Sequence, residues 1–229
     1  MSYAPYAVTF THTARMSIRI RGVCQFRQEA AVVARRRAEM VEETRAKLIQ
    51  AARKAFATQG YADASMDELT AEVGLTRGAL YHNFGDKKGL LQAVVDQIDA
   101  EMVARMRAAQ ARAKTLWLGL LDESIAYLEM ALEPEIQRIM LLDGPAVLGD
   151  PSQWPNQNAC LRAMTQTIEA LIEEGTVKPM DAEAAARLLN GAALNASLWI
   201  AAADDPHAVF AKAVEAFRHL AAGLLRTER

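Results

Sequence analysis

The stretch of this 229-residue chain that most restricts its fold is residues 65 to 91, SMDELTAEVGLTRGALYHNFGDKKGLL. Ser65 stands where a side-chain oxygen accepts a backbone N–H from the first turn of a helix, and Glu68, three residues on, can reach back: a capping box. Met66, Leu69 and Val73 then fall on one stripe of a short helix, and Gly74 is the residue best able to take the left-handed turn that ends it. Leu75 can plug the corner and Thr76 can cap a second helix, whose inward face is Leu80 and Phe84, four residues apart. Two short helices joined by a glycine turn form a helix-turn-helix.

The outward face of the second helix carries Thr76, Arg77, Gly78, Tyr81 and His82, with Asn83 at its end. An exposed helix N-terminus offers N–H groups and a positive dipole end to a phosphate, and Arg77 adds a full charge. Gly78 costs about 1 kcal/mol relative to alanine inside a helix. Its presence there points to something that approaches the backbone closely, as DNA would. Lys87 and Lys88 fall at the start of the following helix, where a cation opposes the dipole and a nearby phosphate would account for it. Ser65, Thr76, Arg77, Gly78, Tyr81, His82 and Lys87 are therefore the expected DNA-binding residues.

The string TRGALYHNFGDKKGLL resembles the recognition helix and following helix start of the TetR family of bacterial transcriptional regulators. The resemblance reaches back through ETRAKLIQAARKAFATQGYADASMDEL to a first helix ending in Gly60-Tyr61, and covers residues 42 to 92. Thr70 and Val73 stand where the family usually has alanines at a crowded helix crossing. Asn83 replaces a more common histidine or tyrosine, so no base preference carries over. The resemblance implies a DNA-binding head and a body that dimerises and binds an effector. It further implies a repressor released from a palindromic operator by a small molecule.

Composition agrees with an all-α chain: 52% of residues are apolar and 24% charged, and alanine, leucine, methionine, glutamate and arginine are abundant. The net charge of −2 hides an asymmetry, because residues 1 to 92 hold 14 basic and 9 acidic residues and the remainder 12 and 19. A basic part that contains the helix-turn-helix suits a polyanion. Cys24 and Cys160 have no CxxC spacing, so neither a disulfide framework nor a zinc site is expected, and a reducing cytoplasm is the simplest setting. His12, His82, His207 and His219 are scattered, no Gly-rich phosphate loop is present, and the expectation is a protein that is not an enzyme and carries no metal or cofactor.

Three domains are expected: a basic, flexible extension over 1–40, the helix-turn-helix domain over 41–87, and a helical body over 88–229. The extension is rich in arginine (Arg15, Arg19, Arg21, Arg27 and the run Arg35-Arg36-Arg37), and three readings compete: a transit peptide, an arm along a DNA groove, or a disordered or overlong start. No unbroken apolar stretch follows it as a secretory signal would require. Residues 41 to 59 read as the first long helix, with Leu48, Ile49, Ala52 and Phe56 on one face.

In the body, a helix of five or more turns follows Lys88, another runs from Trp117 to near Pro134, and a shorter one from Ile136 breaks at Gly144-Pro145. Residues 143 to 157, DGPAVLGDPSQWPNQ, read as the clearest loop, before helices over 158–174, after Asp181 and over 206–225. Phe210, Val214, Phe217, Ala221 and Leu224 form a seam at spacings of 4, 3, 4 and 3, and Leu188, Ala192 and Trp199 a matching face, the expected two-fold dimer contact. The apolar run Leu188 to Ala203 is interrupted by Asn190 and Asn195 and is too short to span a membrane. Trp117, Tyr127, Met140, Trp154, Asn195 and Trp199 are the expected lining of a pocket for a small apolar or aromatic effector, with Asn195 as a buried, paired amide. Two alternatives remain open: a dimeric DNA-binding protein with a filled body, and a helical ligand carrier whose helix-turn-helix is vestigial. A cavity of about a few hundred Å³ would count against the first.

Overall fold

A computed structural model describes the backbone of residues 12–226 and the side chains of 35–154 and 157–226. Arg15, Arg19, Arg21, Arg27 and Cys24 are thus outside the described side chains. Helix α1 runs His12–Gln59. It begins well before the expected start near residue 41, and the physical reason is plain: from 12 to 59 the chain has no proline and a single glycine, Gly22, so nothing in it stops a helix.

The chain divides into two compact units, Met1–Lys47 and Leu48–Arg229. In the first, Arg35, Arg36 and Arg37 are exposed, Arg35 pairs with Glu39 at 2.9 Å, and Lys47 pairs with Glu43 at 2.8 Å. Both are i,i+4 pairs on solvated helix surface.

The second unit contains the end of α1 and eight further helices: α2 (Met66–Glu72), α3 (Arg77–Phe84), α4 (Lys87–Gln110), α5 (Leu116–Met130), α6 (Gly144–Leu148), α7 (Pro155–Glu173), α8 (Ala182–Ala201) and α9 (Pro206–Ala222). A π-helical segment, Ile136–Asp143, runs directly into α6. Among the described residues the pairing outside helices is an isolated bridge between Val177 and Leu225.

Two buried clusters hold this unit together. The first joins Phe56 of α1, Leu69 of α2, Leu80 of α3 and Leu90, Val94 and Ile98 of α4 to Ile139, Met140 and Trp154. The second joins Leu120 and Leu128 of α5 to Ile168 of α7, Leu189 of α8 and Phe217 of α9. The expected inward stripe of α4 is observed: Leu90, Leu91, Val94, Val95, Ile98 and Met102 are all buried.

Residues 143 to 157 are not a loop. They form α6, a short 3₁₀ turn at Pro151–Gln153 and the first turn of α7. Pro145, Pro151 and Pro155 each sit in the first two positions of one of these elements, where a missing N–H costs nothing and a fixed φ favours a helical start. Prolines that read as breakers act as starters.

The π-helical segment ends in a close packing contact. Gly144 N–H donates to the Ile139 carbonyl, five residues back. A Cβ at Gly144 would lie 2.7 Å from that carbonyl oxygen and 3.0 Å from Trp154 Cη2. Gly144→Ala is expected to cost about 1–3 kcal/mol, the range for overpacking a rigid interior. Its thermal unfolding midpoint, compared with that of the unaltered chain, measures this.

Candidate functional site

The helix-turn-helix is built by its caps. Ser65 Oγ accepts from Glu68 N–H at 3.4 Å, and α2 ends in a Schellman turn in which Leu75 N–H donates to Thr70 O (2.9 Å) and Gly74 N–H to Ala71 O (3.1 Å). Gly74 has φ of +67°, which is why glycine stands there. The two departures from alanine are accommodated: Thr70 is buried, but its hydroxyl donates to Met66 O at 2.9 Å, and Val73 packs half-buried on the first cluster. Thr76 Oγ1 accepts from Ala79 N–H at 3.2 Å to start α3, and Asp86 Oδ1 accepts from Gly89 N–H at 2.7 Å to start α4.

The helix α3 turns Leu80 fully inward and Thr76, Arg77, Gly78, Tyr81 and His82 outward. Arg77 pairs with Asp67 at 3.3 Å, donates to Tyr81 Oη at 3.3 Å and lies 5.8 Å from the Tyr81 ring centre. The Tyr81 hydroxyl first, and Asp67 second, hold the guanidinium in its charged form. Tyr81 is 45% exposed and thus presents both ring and hydroxyl to solvent. A Cβ at Gly78 would meet nothing closer than Thr76 Oγ1 at 3.7 Å. No contact among the described residues requires that glycine.

Lys87 differs from the rest of the set. Its Nζ donates to Ala62 O at 3.1 Å and sits 4.8 Å from the Tyr61 ring centre, so it braces the turn between α1 and α2. Burial moves its ammonium below the usual lysine range, weakly opposed by Asp63. Lys88, beside it, is exposed. Spacing alone did not distinguish the two lysines; a helix-face assignment from α4's buried stripe could have.

The expected effector residues separate. Tyr127, Met140 and Trp154 line one cavity of 120 Å³ together with Asp99, Met102 and Leu141. Trp117 packs instead against the second cluster. Asn195 is exposed, contrary to the expected buried amide, and so is Trp199, at 51%. The inward residues of α8 are Ala186, Leu189, Ala193 and Ile200, and a helix that buries those must turn 195 and 199 away. Asp99, buried on α4, and Gln157 are cavity residues that the sequence did not reveal, because one acid and one amide in long helices carry no pattern. A wider groove of 440 Å³ lies against Arg105, Arg112, Asp122, Glu129 and Arg218, but its charged walls do not suit an apolar ligand.

The cavity and the turn before α2 are joined by polar contacts at both ends of the π-helical segment. Arg53 of α1 donates twice to Glu135, at 2.7 Å each, and once to Glu101 of α4 at 2.7 Å. At the other end Asp143 Oδ2 accepts from Tyr61 N–H at 2.7 Å and from Arg138 Nε at 3.2 Å. Among the described residues no group of His, Cys, Asp and Glu could hold a metal ion, and no helix is long and apolar enough to cross a membrane.

Residues 48–94 match the family described as bacterial regulatory proteins, tetR family, and residues 117–224 match the tetracyclin repressor-like C-terminal domain. A solved structure of a TetR-family transcriptional regulator from Pectobacterium atrosepticum is 51% identical with a TM-score of 0.75, over 83% of this chain and 98% of that one. The transcriptional regulator TtgR of Pseudomonas putida is 32% identical over 46% of this chain and 51% of its own length. SrpR of the same species is 44% identical over 28% of this chain and 30% of its own. The chain thus spans about half or less of the length of these curated relatives.

Two substitutions in the turn and α3 should act in opposite directions on stability. Thr76→Ala removes a cap and is expected to cost about 1 kcal/mol. Gly78→Ala should stabilise the free protein by up to about 1 kcal/mol, since the added methyl meets only ordinary van der Waals contact with Thr76 Oγ1. Urea unfolding of both variants checks the pair of signs.

Proposed function

This chain belongs to the TetR family of transcriptional regulators, and from that premise we propose that it reads a palindromic operator with two copies of α3 and is released from it by a small molecule held in its body. The observation that carries the reading is the outward face of α3: a charged, capped helix start with Arg77, Tyr81 and His82 exposed and a glycine that no internal contact requires. Arg77 and Tyr81 are assigned to base edges or phosphates, His82 and Thr76 to the same groove, and Ser65 and Lys87 to holding the turn from which α3 projects. Residues 41–87 then serve as the DNA-reading part and 88–229 as the effector-binding and dimerising part. DNA as partner implies a cytoplasmic protein that works by binding.

Two such helices have to lie about 34 Å apart to enter successive major grooves, which calls for a dimer. The seam expected for it, Phe210 to Leu224, is turned instead into the protein's own second cluster, with Phe217 and Ala221 buried. The exposed apolar side chains on this side are Leu188 (74%), Leu198, Trp199 and Leu220, on α8 and α9. These are the side chains proposed to meet a second copy.

The π-helical segment supports coupling between ligand and DNA. Its middle contributes Met140 and Leu141 to the cavity, and its flanks are tied to α1, α4 and the turn after α1 through Glu135 and Asp143. A ligand that displaces Met140 must move those ties. The cavity, at 120 Å³, is smaller than the few hundred Å³ expected of an effector site. What favours a ligand over a body that only dimerises is that Trp154, one of the residues lining that cavity, has a buried indole N–H without a hydrogen-bond partner.

Selection of bound fragments from bacterial genomic DNA supplies the operator. On that operator, Arg77→Ala with Tyr81→Phe is expected to weaken binding by roughly tenfold or more. Lys88→Gln should reduce the salt slope by about one unit, and Lys87→Gln by less. Unchanged affinity in the double variant would leave a ligand carrier as the better reading. Separately, Leu188→Glu with Trp199→Glu is expected to shift sedimentation from dimer to monomer at micromolar concentration.

A further inference from the structure

The cavity lined by Trp154 adjoins a second one of only 20 Å³, and the two share Asp99, Met102, Tyr127 and Gln157. Four sulfur side chains line the smaller space: Met102 and Met106 of α4, and Cys160 and Met164 of α7. Each pair is four residues apart on its helix, which puts the Cβ atoms about 5–6 Å apart on one face. Two helices thus present sulfur to the same gap, and Met140 adds a thioether in the adjoining cavity. Cys160 is in no disulfide. Methionine in a core fills irregular gaps. Here a gap stays open among three of them. The oxygen and nitrogen groups around it are Asp99, Ser124, Tyr127, Gln157 and Asn190. Ser124 Oγ already donates to Leu120 O at 2.8 Å, and Asp99 has an interaction of its own within the fold. The Tyr127 hydroxyl, pushed up to about 12 by burial first and then by the charge of Asp99, stays protonated. It and the two amides are uncharged, whereas a hard cation is held by several carboxylate and carbonyl oxygens.

We propose that this gap binds one soft monovalent metal ion of the Cu(I) class, held by the Cys160 thiolate and the thioethers of Met102, Met106 and Met164. Size, donor type and charge agree. A space of 20 Å³ is little more than the about 10–15 Å³ that one water needs, so it admits a bare ion and excludes an organic molecule. Thiolate and thioether donors together select Cu(I), whereas zinc takes Cys, His and carboxylate ligands and would find one of the four sulfurs useful. On binding, the thiol proton leaves to solvent and the monovalent ion takes its place on sulfur, so the net charge of the interior is unchanged. A divalent ion would add one positive charge to it, at a cost in desolvation. Any role of the ion in releasing DNA rests on the effector reading above; the binding itself does not.

The test is anaerobic titration of the reduced full chain with Cu(I), scored by competition with the chelator bathocuproine disulfonate. The unaltered chain is expected to hold one equivalent of Cu(I), which equimolar Zn(II) does not displace. Met102→Leu and Met164→Leu nearly keep side-chain volume. Each is expected to weaken binding at least about tenfold, as loss of even an outer partner of a metal site does. Cys160→Ala should weaken it further, and Cys24→Ser and Met180→Leu should leave it unchanged. Cu(I) should also raise the thermal unfolding midpoint of the unaltered chain. No Cu(I) held by the unaltered chain, displacement by equimolar Zn(II), or affinity unchanged in both methionine variants overturns the proposal. The first two outcomes are read on the unaltered chain, so they decide even where a variant fails to fold. Operator binding is measured on the same samples. If Cu(I) binds in the expected pattern and the operator complex persists, the site stands and the ion is not the effector. If the chain holds no Cu(I) but an organic molecule releases the operator, the effector reading stands and this site falls.

Discussion

An eight-residue helix has no stability of its own in water, because a nucleus of fixed dihedrals is not repaid within two turns. The orientation of α3 therefore depends on the burial of Leu80, its one fully enclosed side chain, and on a cap at each end. Thr76 satisfies an N–H at the start, and at the end Gly85 N–H donates to Tyr81 O at 2.9 Å before Asp86 opens α4. With Leu80 inside, the 3.6-residue period leaves Arg77, Tyr81 and His82 on the opposite face. The same apolar cluster continues from Leu80 through Leu90 and Ile98 to Met140 and Trp154. The surface proposed to meet DNA and the wall of the cavity are two sides of one packed interior. Such interiors transmit displacement rather than absorb it.

Polar contacts refine that connection. The Arg53 guanidinium is only partly exposed and is held on two carboxylates from different elements, Glu135 before the π-helical segment and Glu101 in α4. Ion pairs of this kind set geometry more than they add stability, since desolvation offsets much of the attraction. At the far end of the segment Asp143 accepts the Tyr61 N–H, and the Arg138 guanidinium lies over Gly60 where a Cβ would come within 1.8 Å of Nη2. The π-helical segment is thus fixed at both ends to the parts that carry α2 and α3. A π-helix is a rare way to arrange eight residues, and such segments are frequent at functional sites.

Two of the expectations that failed share one cause. The Phe210 to Leu224 seam was assigned from spacing along one helix and Asn195 from the apolar, alanine-rich run around it, but which side of a helix faces the core is settled by its neighbours. In α8, with Leu189, Ala193 and Ile200 packed against α5, α7 and α9, position 195 points outward. In α9 the same packing draws Phe217 and Ala221 inward and leaves Leu220 at the surface. The proline-rich stretch failed differently: each proline was weighed as an interruption, although its effect depends on whether it falls at the start or in the interior of a turn.

What could be read from residue order alone was whatever depends on chemistry within a few positions: the caps at Ser65 and Thr76, the glycine turn at Gly74, the buried stripe of α4 and the outward set on α3. Those interactions close within one or two turns, so the string contains both partners. Contacts between distant positions were decided only by the fold: Arg53 with Glu135, Tyr61 with Asp143, Lys87 under Ala62, and Asp99 brought to the same cavity as Trp154. Each pairs a residue with one that is remote along the chain or bound to no local pattern, and no periodicity announces it. The helix proposed to read DNA is written in its own residues, whereas the cavity proposed to govern it exists only once α4, α5, the π-helical segment, α7 and α8 have packed.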